Sequence, residues 1–173
     1  MIKTTVIIDG SNFYHGCKYL CPDVHLTNFN YRKLVESISG KNATILYCVG
    51  EIKQEINNKK SEQMYAQQQS LFYNLEKQDI LIYKGFMLKS DGKFHEKGVD
   101  VRIAVEIVAS ALKNKYDKCY LFSSDTDIIP AIDEAKMADK KVIYVGFEKR
   151  LSRAMIKNCN ETVVITSKMI RKI

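Results

Sequence analysis

Residues 4–12 read Thr4-Thr5-Val6-Ile7-Ile8-Asp9-Gly10-Ser11-Asn12, an apolar run that stops on an aspartate and a glycine. A strand with one buried face alternates apolar and polar residues; a strand covered on both faces does not, and such strands belong to parallel sheets. Four further runs of strand length share this unbroken character: Ala43–Val49, Ile80–Tyr83, Lys118–Phe122 and Lys141–Val145. Between them, Ser11–Leu20, Asn30–Ser39, Asn57–Gln78, Gly98–Asn114 and Asp127–Asp139 have helical character. Strand and helix in alternation predict an open, doubly wound α/β fold with a mainly parallel sheet of about five strands. The 173 residues fit one domain, 1–173. Within it, Asp91-Gly92 between short mixed runs predicts a β-hairpin insertion over 83–96 that stands off the sheet, and 161–173 reads as a last strand and short helix or as a tail.

Composition narrows the class. Hydrophobic residues make up 46% and charged residues 27%, ordinary for a globular protein. No stretch has the roughly 18 apolar residues that span a bilayer, and the N-terminal run is too short for a secretion signal, so a cytoplasmic location without membrane attachment is expected. The five cysteines, Cys17, Cys21, Cys48, Cys119 and Cys159, lack C-x-x-C spacing and read as reduced thiols. Cys17, Cys21 and His25 are spaced four apart, but Pro22 interrupts the helix a zinc site would need there, and no fourth ligand is evident. Lys and Arg outnumber Asp and Glu, 27 to 20, and the net charge of +7 favours a polyanionic partner.

In open α/β sheets the reactive groups sit beyond the carboxyl ends of the strands. Asp9 stands there on the first strand, and Ser123-Ser124-Asp125-Thr126-Asp127 follows Tyr120-Leu121-Phe122. A third carboxylate is placed by helical periodicity. The helix after Gly98 is apolar almost all round, with a polar stripe of Arg102, Glu106, Ser110 and Lys113; at about 100° per residue, Asp100 falls opposite Arg102 and is expected to face inward. Each acid has a structural reading: Asp9 and Asp125 as helix caps, Asp100 as the answer to a helix dipole. Together, carboxylates crowded at one edge repel one another unless protonated or neutralised by a cation. Hard oxygen ligands suit Mg²⁺ or Mn²⁺, which share their open positions with substrate phosphates and support phosphodiester hydrolysis.

Ile7-Ile8-Asp9-Gly10-Ser11-Asn12, Lys97-Gly98-Val99-Asp100 and Ser123-Ser124-Asp125-Thr126-Asp127 resemble, in order and spacing, the three motifs of NYN domains, the LabA-like branch of the PIN-like nucleases. The resemblance covers nearly the whole chain. It implies a three-layer α/β/α fold of PIN-like, flavodoxin-like topology and a metal-dependent ribonuclease site, with RNA as the partner. It carries over Asp9, Asp100, Asp125 and Asp127 as metal-binding and catalytic acids and Asn12 as a polar neighbour. Ser124 stands where the family often has Gly, and Ile128 where Phe is common; neither change removes a carboxylate.

Around these motifs, residues 83–97 mix cations with aromatics, the composition that holds phosphates while bases stack. Lys84, Lys89, Lys93 and Lys97 are the expected substrate-binding cations, with Ser124 beside the acids and Lys53, Lys59 and Lys60 as a possible extension. Phe86 and Phe94 are expected to pack beneath the hairpin. Tyr14, His15 and Tyr19 near Asp9 line a groove or pack locally, and no catalytic role is assigned to His15.

Two functions from different classes emerge: a Mg²⁺- or Mn²⁺-dependent ribonuclease, and an RNA-binding or regulatory module that keeps the metal pocket without turnover. Three rivals fail on residues. A metal-dependent adhesion site needs a serine where Phe13 stands, a haloacid dehalogenase-type phosphatase needs an aspartate where Ser11 stands, and a receiver domain needs an aspartate ending the third strand, where Lys84-Gly85 follows Tyr83. Oligomeric state is not encoded in any motif.

Overall fold

A computed structural model describes residues 2–90 and 93–173, the side chains of Lys89, Ser90 and Lys93 excepted. Seven strands form one sheet: β1 (Thr4–Asp9), β2 (Thr44–Glu51), β3 (Leu81–Ser90), β4 (Lys93–Lys97), β5 (Lys118–Phe122), β6 (Lys141–Phe147) and β7 (Glu161–Ile165). Seven α-helices accompany them: α1 (Gly10–Leu20), α2 (Tyr31–Ser39), α3 (Lys59–Lys77), α4 (Val99–Leu112), α5 (Ile129–Met137), α6 (Arg153–Asn158) and α7 (Ser167–Arg171). The strand order is β4-β3-β2-β1-β5-β6-β7, parallel throughout except for β4 against β3.

The unbroken apolar runs have the predicted consequence. Val6, Ile8, Tyr47 and Phe122 pack with Phe13, Tyr31 and Phe72 from α1, α2 and α3 on one face. Ile7, Cys48 and Leu121 pack with Ile103, Ile107 and Ile132 from α4 and α5 on the other. β1, clothed on both sides, is the centre of a three-layer α/β/α structure. No helix among the described residues is long and apolar enough to cross a membrane.

Three expectations are corrected. Among the described residues the sheet has seven strands rather than about five, because Lys93–Lys97 adds β4 beside a β3 that runs on past Tyr83 to Ser90, and residues 161–165 add β7. The segment expected to stand off the sheet belongs to it: β4 lies antiparallel on β3 from Phe86↔Lys97 to Ser90↔Lys93 and forms the sheet's edge. Alternating polar residues hid this, since an edge strand needs only one buried face. The turn predicted at Asp91-Gly92 lies outside the described residues. The C-terminal segment takes the strand-and-helix form, and α7 is docked by a forked pair from Arg171 to Asp23 (2.8 and 2.9 Å).

The third correction concerns α4. Its polar stripe is only partly in solvent: the Arg102 guanidinium lies 3.6 Å from the centre of the Tyr83 ring, Glu106 pairs with it at 3.3 Å, and Ser110 is buried, while Lys113 is exposed. With that row turned toward β3, the helix is rotated so that Val101, Val105 and Leu112 are exposed, and Asp100 with them.

Beyond the parallel register, β2 is held by side chains. Buried Gln68 of α3 donates Nε2–H to the Gly50 carbonyl (2.8 Å) and accepts the Ile52 N–H on Oε1 (2.7 Å). Gln68→Met keeps the volume and strands both backbone groups. It is expected to cost about 1–3 kcal/mol in chemical denaturation, with earlier hydrogen exchange at Ile52 than elsewhere in β2; unchanged stability would show that water replaces the clamp.

Candidate metal and phosphate site

The site is built outward from Asp9. Its carboxylate, 2% exposed at the end of β1, accepts three hydrogen bonds: from Asn12 N (3.0 Å), Asn12 Nδ2 (2.6 Å) and Ser123 Oγ (2.9 Å). Buried charge is tolerated only when its lone pairs are met, and here they are. Two threads lead from it to the β5 exit. Asn12 Oδ1 accepts the Ser124 N–H (3.2 Å), and Ser123 Oγ accepts the Asp125 N–H (3.2 Å). Asp125 in turn accepts the Asp127 N–H (2.9 Å), capping a 3-10 turn at Thr126–Ile128. Asp9 caps α1 in the same way. Asp9 therefore caps α1 as read from the sequence, with its second oxygen taken up by Asn12 Nδ2 and Ser123, while Asp125 caps the 3-10 turn that precedes α5 rather than α5 itself.

Asp100 reaches the rim from α4. Gly98, with φ of 83° in the left-handed region, turns the chain from β4 into this helix. Asp100 is exposed, contrary to the inward orientation expected from periodicity, yet it senses the other acids: burial first, then Asp125, Asp9 and Asp127, hold its pKa above the usual carboxylate value. Asp9, Asp125 and Asp127 thus lie near enough for their charge to be felt at Asp100. They do not close into a chelate: among the described residues, no three acidic, histidine or cysteine side chains stand near enough to ligate one ion directly.

The sequence reading missed Glu96. Burial raises its pKa, the Gly50 N–H lowers it, and Asp9 and Asp100 raise it further. Its Oε2 accepts that N–H at 2.7 Å, an approach possible because residue 50 lacks a side chain: a Cβ there would lie 2.8 Å from both Cγ and Oε2 of Glu96. The available signal was an acid four residues before Asp100, across the Gly98 turn. Arg150 was missed as well. It follows the end of β6, one more strand terminus at this edge, and with Ser11, Asn12, His15 and Ser124 it lines a cavity of about 210 Å³. Ser124 also bonds Tyr144 Oη (2.8 Å), which accepts the Ser152 N–H (3.1 Å).

The expected cations divide. Lys84 is engaged, 2.7 Å from Glu51 and 4.7 Å from the centre of the Phe72 ring. Lys97 is exposed at the end of β4 beside the Gly98 turn. The side chains of Lys89 and Lys93 lie outside the described residues. Phe86 on β3 and Phe94 on β4 do not pack beneath a hairpin; both are more than two-fifths exposed. The five cysteines are buried and free, and burial pushes the Cys17 and Cys48 thiols up to about 12, so neither is a nucleophile.

The chain belongs to the NYN domain family, whose model matches residues 3–166. NYN domains form part of the PIN-like nuclease superfamily, so nuclease is the class that family membership suggests. A crystal structure of a protein of unknown function from Vibrio parahaemolyticus superposes with a TM-score of 0.62 at 17% identity, over 95% of this chain and 93% of that one, which establishes the fold alone. A pyridoxal phosphate-bound carbon–sulfur lyase from Staphylococcus hominis, 9% identical, covers 95% of this chain and 45% of that one at a TM-score of 0.32, too low to bear on either fold or function. Among curated proteins, none matches this sequence.

A carboxyl whose pKa is raised on folding destabilises the fold when ionised. The penalty is complete above the folded pKa and absent below the ordinary value near 4. Asp100→Asn is therefore expected to raise the melting temperature at pH 7 by a few degrees at most, since Asp100 is half in water, and to confer nothing at pH 3. Added Mg²⁺ is expected to shrink the difference at pH 7. A gain independent of pH would remove the electrostatic explanation.

Proposed function

We propose that this chain is a metal-dependent ribonuclease of the LabA-like branch, hydrolysing phosphodiester bonds at the carboxyl edge of its sheet. The observation that carries the reading is the hydrogen-bonded link from Asp9 through Ser123 to Asp125, with Asp100 near enough to feel their charge, in a chain of a nuclease family. The donor set is all oxygen and carries excess negative charge, which fits Mg²⁺ or Mn²⁺. Mg²⁺ keeps several waters and takes few protein ligands, so carboxylates spaced too widely for a direct chelate still suit it. Asp9, Asp100, Asp125 and Asp127 would hold the ion, directly or through water. When bound, such an ion activates a water and neutralises charge growing on the phosphate and leaving oxygen.

The chain's own groups do the rest. Asn12 and Ser123 fix the direction of the Asp9 carboxylate, and Ser123 carries the Asp125 backbone with it. Glu96, tethered to Gly50, adds negative charge from the β4 side. Arg150, Lys97 and the Ser124 side of the polar cavity supply donors and positive charge for phosphates flanking the scissile bond.

The decisive measurement follows labelled RNA with purified protein and Mn²⁺, comparing wild type with Asp125→Asn. Loss of at least about a hundredfold in rate is expected, in line with the several kcal/mol such an ion contributes; equal cleavage by both proteins would sink the assignment. Arg150→Ala is expected to weaken RNA binding in low salt and to flatten the salt dependence by about 0.7 of a log unit per decade, the share of one phosphate contact on a single strand. An unchanged slope would take Arg150 off the phosphate path.

The open arrangement of the acids favours a second reading, an RNA-binding or regulatory module without useful turnover. Salt-dependent binding with no cleavage under Mg²⁺, Mn²⁺ or other divalent ions would establish it instead.

A further inference from the structure

We infer that the cavity between α3 and the β3–β4 ribbon is a nucleobase pocket, which makes the substrate a single-stranded nucleic acid read without sequence preference. The inference rests on the reading of the acid rim as a phosphodiester site and adds what lies beside it. The cavity measures about 240 Å³. That is below the roughly 300–1,000 Å³ that accommodates drug-sized ligands, and is the scale of one flat heterocycle.

Its chemistry has two parts. Ile52, Met64, Met87 and Phe94 give apolar walls, and Met64 and Phe94 remain 44% and 42% exposed. Exposed thioethers and a ring offer polarizable surface to a base. Lys53 and Lys60 stand on the same cavity and are exposed, placed for the phosphates on either side of that base. The polar groups of the lining are already committed. Ser61 Oγ accepts the Glu55 N–H (2.9 Å) and donates to the Lys53 carbonyl (3.3 Å), while Asn58 accepts the Ser61 N–H (3.1 Å) and donates to Glu55 (2.8 Å). No free set of donors and acceptors faces a base edge from these side chains, so the pocket accepts a base by its face and not by its identity.

Position ties the cavity to the site. Met87 is the register partner of Glu96, and Phe94 lies two residues before Glu96 on the same face of β4. Glu96 is the acid that senses Asp9 and Asp100. A strand crossing the carboxyl edge with a phosphate at the acids therefore brings a neighbouring base to this pocket. A base paired and stacked in a duplex presents no free face and does not enter.

The test uses the full chain without divalent ions, so that binding is measured apart from cleavage. Fluorescently labelled oligoribonucleotides only long enough to span the acid rim and the pocket, so that one register is held, are titrated by anisotropy: an intact single strand, its duplex, and a series with one abasic position each. Wild type is expected to prefer the single strand and to lose about 5- to 150-fold when one particular base is removed, the range of a single stacking contact. Phe94→Ala is expected to bind the intact strand that much more weakly and to be indifferent to the same abasic position. Phe94→Leu, which keeps an apolar side chain, should melt like wild type and show a partial loss. Equal affinity for duplex and single strand, no sensitive position, or undiminished abasic sensitivity in Phe94→Ala would overturn the pocket. Cleavage by wild type in the separate Mn²⁺ assay alongside those results leaves the nuclease reading intact; a Phe94-dependent abasic effect with no cleavage in that assay leaves the pocket and removes the nuclease.

Discussion

The buried carboxylate of Asp9 is the constraint from which the rest of the site follows. A charge 2% exposed at the end of the central strand demands compensation, and the chain supplies it from both directions: Asn12 in the first turn of α1 and Ser123 at the exit of β5. Satisfying that one group aligns the start of a helix on one sheet face with the end of a strand two positions away from β2. It also sets the backbone at Asp125, because the serine that serves Asp9 also receives the Asp125 N–H. Loss of the charge would leave its donors facing each other without an acceptor, so stability and function are joined at this residue.

Around that anchor the acids differ in kind. Asp9 is rigid and solvated by protein, Asp125 spends one oxygen on a turn, and Asp100 and Glu96 are held above their ordinary pKa by their surroundings and neighbours. The result is a rim with graded charge, fixed at its deep end and soft at its outer end.

The parallel core was legible because strands buried on two faces announce themselves as unbroken runs, and Val6-Ile7-Ile8 and Leu121-Phe122 behaved accordingly. The acids at Asp9 and Asp125 were legible because strand ends position side chains independently of tertiary detail. Edge elements were not. β4 looked like a loop ornament because its residues alternate, and its place was settled by backbone pairing with β3. The face of α4 was misjudged for a related reason: Arg102 and Ser110 both bond Glu106 and Arg102 stacks on Tyr83, contacts that a hydrophobic pattern cannot express. Glu96 and Arg150 went unseen because their importance lies in what folding brings near them.

The continuity of β4 with α4 has a mechanical meaning. Phe94, Glu96 and Asp100 occupy one short covalent segment, interrupted by a single left-handed residue at Gly98. Sliding this edge strand along its neighbour would carry an aromatic wall, a tethered acid and the first turn of a helix as one piece, like a bolt moving in its track. The position of the aromatic wall and the spacing of the charges are thus tied to one displacement.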